Sequence, residues 1–424
     1  MGTVLRNIRP VEPERRTIHA RFEGKSFETI SETRDLQTPN DQIIEGGGRL
    51  AFSGFVNAHT HLAMVAFRGL ADDVPLHTWL EGHVWPLERL LEPEDVYWCT
   101  LLAIAEGIRS GTVAFADMYF HNDEIARAVE ESGVRALLCY AAIAPSMQDR
   151  GRAEIDASVG IVDRWEGAAD GRIRTAISLH ALYTCGEDVW RAGIDAAADR
   201  GVPIHTHVAE TRRETVEWRE QTGMSPVMWL DRVGAFEVPL LAAHCVHVDE
   251  DDIAVLAERG AFIAHCPKSN AKLGSGIAPI AAMLDAGVHV AVGTDGAASN
   301  NRLDMLEEMR AVWMLQRASH EDPMTPSAAQ VVELATENGR RALGLDPGGF
   351  VEGRPADVVL VDPDRLHATP DHDPTAMLAY ASSGLDVTDV IVDGRVLMRN
   401  GDLLTIDEEK VKSEVNRLLR RLNT

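Results

Sequence analysis

Residues 54–61 read GFVNAHTH, a short apolar run that ends in two histidines. Similar short apolar runs, separated by stretches of helical character, recur until about Leu345. Apolar residues on both faces of such runs indicate strands buried on both sides, as in a parallel sheet. The sequence predicts eight of these strands, over residues 54–59, 111–117, 134–141, 172–180, 202–207, 238–244, 261–265 and 288–295.

Helices are predicted between these strands, for example over residues 93–110, 186–200 and 249–259. The last of these begins with an acidic turn, which is favourable at a helix N-terminus. Strand and helix alternate eight times over roughly 290 residues, which is typical of an α/β chain folded as a (β/α)8 TIM barrel.

The two ends of the chain depart from this repeating pattern. Residues 1–52 contain weakly alternating, strand-like segments such as TIHARFEG. After Leu345 the chain is rich in Gly, Pro and Asp, with short strands expected at ADVVLVD and VTDVIVDGRVLM and a charged helix over 407–422. We predict one small β-sandwich domain formed by both ends, residues 1–52 and 349–424, beside a barrel domain of residues 53–348.

The chain is strongly acidic. Among its 424 residues, 66 Asp and Glu outnumber 41 Lys and Arg, which gives a formal net charge of −25. Such a surface repels phosphate backbones, and no basic run offsets it. Nucleic acid and anionic membrane surfaces are therefore excluded as partners. No run of eighteen apolar residues exists, so no segment is expected to span a membrane.

The cysteines indicate a reducing compartment. They are odd in number and scattered, without a CxxC spacing, so neither a disulfide framework nor a cysteine zinc site is expected. The N-terminal residues lack the apolar core of a signal peptide, and we expect a cytoplasmic protein. The five cysteines are Cys99, Cys139, Cys185, Cys245 and Cys266.

Histidines follow two of the predicted strands. His59 and His61 end the first strand, and alternate residues of an extended segment point to the same side, so both imidazoles can face one metal ion. The fifth strand contains His205 and His207. We interpret His205 as a hydrogen-bonded core residue and His207 as a ligand. Glu210 follows in the loop, where it can stand over a metal without binding it.

Two further strand ends add to this set. The sixth strand brings His244 and His247, and the eighth ends in Asp295. A carboxylate there is costly unless it is paired or bound to metal; a helix cap before Gly296 is the alternative interpretation of Asp295.

Three histidines and one aspartate suit Zn²⁺ best, with Fe²⁺ or Mn²⁺ as alternatives. Such a ligand set leaves a position on the metal open for water. The chain has no lysine between Lys25 and Lys268. A carboxylated lysine from the middle strands therefore cannot bridge two metals, and we predict one divalent metal ion.

The motifs GFVNAHTHLAMVAFRGLADDVPLHTWL, HVAET, AAHCVH, HCPKSNAKLGSG and GTDGAASNN occur in this order. With them, essentially the whole chain resembles the amidohydrolase superfamily, in its cytosine deaminase and chlorohydrolase branch, and within that branch the 5'-methylthioadenosine/S-adenosylhomocysteine deaminases. The resemblance implies that Glu210 shuttles protons and that His244 contacts the attacking water and the developing tetrahedral centre. It implies that the metal ligands are His59, His61, His207 and Asp295.

The same resemblance implies substrate contacts. Trp79 would line the pocket, Glu88 would hold the ribose hydroxyls, His180 and Glu210 would contact the substrate, and Arg152 would face the amino-acid tail of S-adenosylhomocysteine. From the residues alone, a core aromatic under a loop is the preferred interpretation of Trp79, and an acid on a helix surface is the preferred interpretation of Glu88. For Arg152 an ordinary solvated charge is the alternative.

One position departs from the family pattern. Some members carry a second arginine five residues after the arginine that begins the third strand, and here that position is Tyr140. This weakens the case for S-adenosylhomocysteine relative to 5'-methylthioadenosine or 5'-deoxyadenosine, which lack the carboxylate.

The expected reaction is the hydrolytic deamination of an adenine nucleoside at C6. Asp295 would accept a proton from the attacking water, and Glu210 would protonate ring N1. One alternative is a deaminase or chlorohydrolase acting on guanine, cytosine, a pterin or an s-triazine. Another is a non-catalytic barrel that binds a ligand. The resemblance also suggests a homo-oligomer, a dimer or a tetramer.

Overall fold

The computed structural model describes residues 2–11, 16–33, 36–70 and 72–422. Its strands are β1 (Thr3–Pro10), β2 (Ile18–Glu23), β3 (Ser26–Ser31), β4 (Gln42–Glu45), β5 (Leu50–Phe52), β6 (Phe55–Thr60), β7 (Thr112–Tyr119), β8 (Arg135–Ala142), β9 (Ile173–Thr175), β10 (Ile177–Ala181), β11 (Ile204–Val208), β12 (Leu240–His244), β13 (Phe262–His265), β14 (His289–Val292), β15 (Val358–Val361), β16 (Val387–Val392), β17 (Arg395–Arg399) and β18 (Asp402–Leu403).

The α-helices are α1 (Leu76–Trp79), α2 (Trp85–Glu88), α3 (Pro93–Arg109), α4 (Asn122–Ser132), α5 (Arg152–Trp165), α6 (Ala168–Gly171), α7 (Glu187–Arg200), α8 (Arg212–Thr222), α9 (Pro226–Val233), α10 (Glu250–Glu258), α11 (Pro267–Lys272), α12 (Ile280–Asp285), α13 (Ala297–Asn300), α14 (Met305–His320), α15 (Ala328–Ala335), α16 (Glu337–Ala342), α17 (Pro374–Ala376) and α18 (Glu408–Leu422). Short 3-10 or π-helical segments are Leu62–Phe67, Leu80–Val84, Met147–Gly151, Ala235–Glu237, Leu366–Ala368, Met377–Ala381 and Gly384–Asp386.

Eight parallel strands form a barrel in the order β6, β7, β8, β10, β11, β12, β13 and β14. The last strand returns to the first: the backbone N–H of Asp295 donates to the carbonyl of His59 at 2.9 Å, and Asn57 and Thr294 are joined by two hydrogen bonds of 2.7 and 2.9 Å. The predicted (β/α)8 barrel is therefore confirmed. Its strands are buried on both faces, as their apolar sequences require.

Two predicted strands differ from those observed. The run 172–180 is divided into β9 and β10 at Ala176, because Ala176 N–H donates to Leu138 on one side while Ile177 N–H donates to Pro203 on the other. The eighth strand ends at Val292 rather than at Asp295, because the backbone leaves the extended region and Asp295 has a φ of 61°.

Both chain ends contribute to a second sheet. Its order is β18, β17, β16, β15, β5, β1, β2 and β3, with β4 paired to β1. The antiparallel pair β5–β15 joins the N-terminal strands to the C-terminal ones, as the fold prediction expects. The boundaries of the predicted domains stay a prediction, and residues 1, 12–15, 34, 35, 423 and 424 of the small domain lie outside the described residues.

The barrel and the second sheet are connected by a buried ion network. Asp357, directly before β15, accepts hydrogen bonds from Arg135 of β8 at 2.9 Å and from Arg340 of α16 at 3.0 Å. Arg340 and Asp357 are almost completely inaccessible to solvent. All five cysteines are buried and unpaired. Within the described ranges, every helix is too short or too polar to cross a membrane.

Candidate metal centre and active site

Four of the predicted site residues meet at the carboxyl-terminal ends of the barrel strands. His59 ends β6 and His61 follows it, His207 lies on β11, and Asp295 follows β14. One nitrogen from each of these three histidines lies within 4.8 Å of the others. A carboxylate oxygen of Asp295 lies within the same 4.8 Å of ring nitrogens of His59 and His244. In this fold the strand ends form the active site, so the cluster lies where chemistry is expected.

Backbone carbonyls orient two of the histidines. The Nδ1 of His61 lies 2.6 Å from the carbonyl of Met118, and the Nδ1 of His207 lies 2.6 Å from the carbonyl of His180. A carbonyl can only accept, so each Nδ1 carries the proton and donates it. Burial holds the pKa of His207 well below the usual value, so its Nε2 bears the lone pair that a metal needs. Burial also acts to lower the pKa of His61, but Asp295 outweighs it and raises that pKa to about 9, so Nε2 of His61 holds a proton beside Asp295 that a metal ion would displace.

His59 is oriented by another histidine. Its Nδ1 lies 2.8 Å from Nε2 of His205, and its own Nε2 is buried without a hydrogen-bond partner among the described atoms. Burial lowers the pKa of His59 to about 4 and lowers that of His205 well below the usual value, so both rings are neutral. His205 is thus buried and hydrogen-bonded, while His59 directs an unpaired nitrogen at the cluster.

The carboxylate of Asp295 has two distinct sides. Its Oδ2 accepts hydrogen bonds from Ser269 at 2.6 Å and from Ser299 at 2.8 Å. Its Oδ1 lies 3.5 Å from Nε2 of His59 and 3.2 Å from Nε2 of His61. Burial acts to raise the pKa of Asp295, but the neighbouring imidazoles of His59 and His61 outweigh it and hold that pKa well below the usual range.

These residues fit a divalent metal ion. A tetrahedral site with bonds of about 2.1 Å separates its ligand atoms by roughly 3.4 Å. The separations of 3.2 and 3.5 Å between Asp295 and the two histidines match that edge. The unpartnered Nε2 of His59 also requires a partner, because a buried polar atom left without one is costly.

The backbone is strained at these strand ends. Asp295 has a φ of 61° and His244 a φ of 75°, and neither residue is glycine. Such conformations cost on the order of 1–3 kcal/mol each and persist only where the surroundings impose them. Here the hydrogen bond from Asp295 N–H to the His59 carbonyl helps to do so, which aims the carboxylate into the cluster.

Glu210 lies beside the cluster as an acid. It is buried, and its Oε2 lies 3.9 Å from Nε2 of His244. Burial, together with the negative charge of Asp295, raises the pKa of Glu210 to about 8. The carboxyl group therefore holds a proton at neutral pH that it can deliver to a bound molecule.

His244 presents a proton rather than a lone pair. Its Nδ1 accepts from the side-chain amide of Asn270 at 2.9 Å, so the neutral ring carries its proton on Nε2, the atom that faces Glu210. This arrangement directs an N–H of His244, rather than a lone pair, towards Glu210 and the cavity.

Several supporting residues were missed by the sequence analysis. Glu214 accepts from the backbone N–H groups of Ala209 and Glu210 at 3.1 and 2.9 Å and so holds the turn that carries Glu210. The only signal for it is an acid in the first turn of α8. Nothing in the sequence distinguishes Asn270, Ser269 and Ser299, apart from their positions in the motifs HCPKSNAKLGSG and GTDGAASNN.

A cavity of about 80 Å³ opens above the cluster. Trp79 and His180 line it, as does Glu88, whose pKa is raised by burial. The indole N–H of Trp79 donates to the carbonyl of Leu70 at 3.3 Å, which leaves its ring for packing. Arg152 lies exposed at the start of α5 and does not line this cavity, so its predicted contact stays a prediction.

Two further residues lie away from the cluster. The Nε2–H of His247 donates to the carbonyl of Ser275, 2.7 Å away, and His247 does not line the cavity. Since a carbonyl accepts, His247 is the donor. Tyr140 lies beside a neighbouring cavity rather than over the cluster.

The geometry defines the class of protein: a (β/α)8 barrel that carries a buried histidine and aspartate cluster at its strand ends, with a protonated carboxylic acid beside it. Residues 50–397 match the model of the Amidohydrolase family. The chain belongs to the amidohydrolase family and is an enzyme, as the resemblance predicted.

Individual relatives are similar over nearly the whole chain. A 5-methylthioadenosine/S-adenosylhomocysteine deaminase of Pelotomaculum thermopropionicum is 48% identical over 380 residues, which are 89% of this chain and 87% of the relative. A 5'-deoxyadenosine deaminase of Methanothermobacter thermautotrophicus is 45% identical over 384 residues, 90% of either chain. Among solved structures, an adenosine deaminase from Xanthomonas campestris with bound zinc is 33% identical with a TM-score of 0.92, covering 100% of this chain and 98% of its own.

Proposed function

We propose that this enzyme removes the 6-amino group of an adenine nucleoside by hydrolysis, giving the inosine analogue and ammonia. The observation that carries the proposal is the meeting of His59, His61, His207 and Asp295 with the protonated Glu210 in one buried pocket. The names of the relatives, which are adenine nucleoside deaminases, support the same reaction.

The proposed metal ligands are His59, His61, His207 and Asp295. When bound, a divalent metal supplies a Lewis acid that lowers the pKa of water towards about 7. We propose Zn²⁺, because the donor set of three imidazoles and a carboxylate suits it and because a similar structure contains it.

The proton steps fall to two carboxyl groups and one imidazole. Asp295, whose pKa is held low, accepts the proton of the attacking water. Glu210 delivers its proton to ring N1. The amino group then takes the proton held by Asp295 and leaves as ammonia, while the hydroxyl proton of the tetrahedral centre returns to Glu210. The Nε2–H of His244 donates to the oxygen that attacks C6, which stabilises the charge developing there.

The sugar and the ring are proposed to contact the cavity wall. Glu88 would accept hydrogen bonds from the ribose hydroxyls, Trp79 would pack against the nucleoside, and His180 would contact the base. Free bases have no ribose for Glu88 to hold, so this wall favours nucleosides over guanine, cytosine or pterins.

A substrate panel tests the proposal. Metal-loaded protein is incubated with 5'-methylthioadenosine, 5'-deoxyadenosine, adenosine, S-adenosylhomocysteine, guanine and an s-triazine. The change in the ultraviolet spectrum of each substrate is followed, which for the adenine nucleosides is the shift from adenine to hypoxanthine. Turnover of the adenine nucleosides alone supports the proposal. Turnover of guanine or the triazine alone would replace it with a deaminase or chlorohydrolase that acts on another heterocycle. If metal-loaded protein turned over none of these compounds, a ligand-binding protein would be favoured.

The cellular setting belongs to the same proposal. Five buried, unpaired thiols suit a reducing cytoplasm.

We propose a homo-oligomer, a dimer or a tetramer, on the family resemblance. Light scattering on the purified protein measures its mass directly, and a monomer would contradict this part of the proposal.

A further inference from the structure

A second cavity adjoins the cavity over the metal cluster. We call it the side chamber; it encloses about 480 Å³ and is lined by residues that include Glu88, Arg89, Tyr140, Ile143, Arg150 and Glu154. Glu88 and Ile143 also line the first cavity, so the two cavities are adjacent and share a wall. Ligand pockets usually enclose roughly 300–1,000 Å³, and the first cavity, at about 80 Å³, is too small for a substituted nucleoside by itself.

The shared wall at Glu88 determines which part of a nucleoside faces the side chamber. The proposed reaction places the base over the metal cluster and the ribose at Glu88. Glu88 is shared by both cavities, so a substituent on the ribose extends past it into the side chamber. The charges of that chamber therefore act on the 5' substituent.

One guanidinium of the side chamber is already neutralised. Arg150 donates to Glu154 at 2.6 Å, and Glu154 also accepts from the backbone N–H of Ile143 at 3.2 Å. Glu154 is only 5% exposed, so this acid is held in place and keeps Arg150 paired.

Tyr140 offers a hydroxyl and no positive charge. Its ring packs edge-on against Phe120 with 5.8 Å between ring centres. Burial and the nearby Glu154 raise the pKa of Tyr140 to about 12, so the hydroxyl stays protonated. The third barrel strand thus supplies no cation to the side chamber.

Arg89 is different. It directly follows α2 and Glu88, and its side chain is exposed to the side chamber and solvent. Among the residues that the structure describes, it has no acidic partner, whereas Arg150 has one. A free guanidinium binds a carboxylate through two parallel hydrogen bonds, a geometry that an ammonium group cannot match.

We propose that Arg89 binds an anionic group at the end of the 5' substituent, so that use of a zwitterionic amino-acid tail, as in S-adenosylhomocysteine, depends on this residue. The proposal rests on the proposed function, because it assumes that the ribose lies at Glu88. It assigns to Arg89 the role that the resemblance gave to Arg152, which lies outside both cavities.

The test compares two substrates in the same metal-loaded enzyme. Arg89→Gln is expected to lower kcat/KM for S-adenosylhomocysteine about 10-fold or more, the usual effect of losing a hydrogen bond between charged groups. The kcat/KM for 5'-methylthioadenosine, which has no carboxylate, should stay within about twofold, because its tail makes no ion pair. Arg417→Gln is the matched control, since Arg417 lies on the surface of α18 and pairs with Glu414 there.

Three outcomes overturn the assignment. The first is an unchanged ratio of the two kcat/KM values in Arg89→Gln, whether both fall or neither does. The second is a selective loss with Arg152→Gln instead. The third is a wild-type enzyme that turns over 5'-methylthioadenosine but not S-adenosylhomocysteine. Failure of the proposed function is distinct from all three, because wild type would then turn over neither nucleoside.

Discussion

The protons of the site are arranged residue by residue. His61 and His207 each donate Nδ1–H to a carbonyl and keep Nε2 for a metal, whereas His244 accepts at Nδ1 and presents Nε2–H. The same type of side chain therefore offers Nε2 to the proposed metal in two places and an N–H in a third. What differs is the neighbour at Nδ1, because that contact selects the tautomer.

Glu210 is the residue whose loss should separate chemistry from metal binding. Glu210→Gln removes the acidic proton but keeps the size of the side chain, so we expect kcat with 5'-methylthioadenosine to fall by about 10²–10⁴-fold. Metal content, measured by plasma mass spectrometry, should not change. Glu217→Gln is the control, because Glu217 is exposed on α8 and pairs with Arg213. Full activity of Glu210→Gln would remove Glu210 from the proton steps.

Ser269 and Ser299 hold the carboxylate of Asp295 from the side that faces away from the histidines. Each hydroxyl donates to Oδ2, so Ser269→Ala leaves the carboxylate with one donor fewer. We expect metal affinity to fall by about 10–100-fold, as is usual when a partner of a ligand is lost. Competition with a chromophoric chelator measures this. Ser319→Ala, at an exposed position of α14, is the control, and equal affinity in both variants would contradict the role.

At the scale of elements, the buried network of Asp357 joins three of them. β8 and α16 belong to the barrel and supply Arg135 and Arg340, while β15 belongs to the second sheet and is preceded by Asp357. Removing one member of a buried ion pair leaves the other charge without a partner in a site that water does not reach. The network thus couples the barrel to the sheet formed by the chain ends.

Asp357→Asn should therefore be strongly destabilising. We expect a loss of about 3–5 kcal/mol of unfolding free energy, seen as a lower urea midpoint by circular dichroism. Asp163→Asn is the control, because Asp163 pairs with Arg200 at the exposed surface, where ion pairs contribute little. A midpoint equal to that of the control would contradict the coupling.

The difference in unfolding free energy between wild type and Asp357→Asn should depend on pH in one direction. Burial acts to raise the pKa of Asp357, but Arg135 and Arg340 outweigh it and hold that pKa below its ordinary value. A carboxyl with a depressed folded-state pKa stabilises the fold above its unfolded-state pKa of about 3.9, and loses that contribution as pH falls through the folded-state pKa. The difference between wild type and Asp357→Asn should stay constant from about pH 7 to 5 and shrink only below about pH 4. A difference that shrinks between pH 7 and 5 would be against this assignment.

At the scale of the whole molecule, the metal site unites strands that are far apart in sequence. The ends of β6, β11 and β14 reach one point only when the barrel is closed, so the proposed metal site exists in the folded chain and not in the unfolded one. Binding to the folded state alone raises its stability by mass action.

Metal removal should accordingly have two effects. Dialysis against a chelator is expected to abolish deamination and to lower the thermal midpoint, and one equivalent of Zn²⁺ per chain should restore both. Calorimetry and plasma mass spectrometry measure the midpoint and the stoichiometry. Full activity in metal-free protein would contradict the proposed centre, and two tightly bound ions per chain would contradict the single site.

The architecture was predictable because its signals are local. Short apolar runs indicate buried strands wherever they occur, and eight of them alternating with helices leave the barrel as the natural arrangement. The strand-end histidines and Asp295 were also predictable, since strand ends meet at one mouth of such a barrel. The division of the fourth strand at Ala176 was not, because an apolar run does not reveal which neighbour each N–H reaches.

The sequence by itself determined the barrel, the second sheet from both ends, the family and the residues that meet at the cluster. Only the tertiary structure decided which nitrogen each histidine offers, that Glu214 and Asn270 hold Glu210 and His244, and that Arg89 rather than Arg152 borders a cavity. The physical reason is that strand patterns depend on residues near in sequence. Tautomers, buried hydrogen bonds and the charge of a cavity depend on partners brought together by folding from distant parts of the chain.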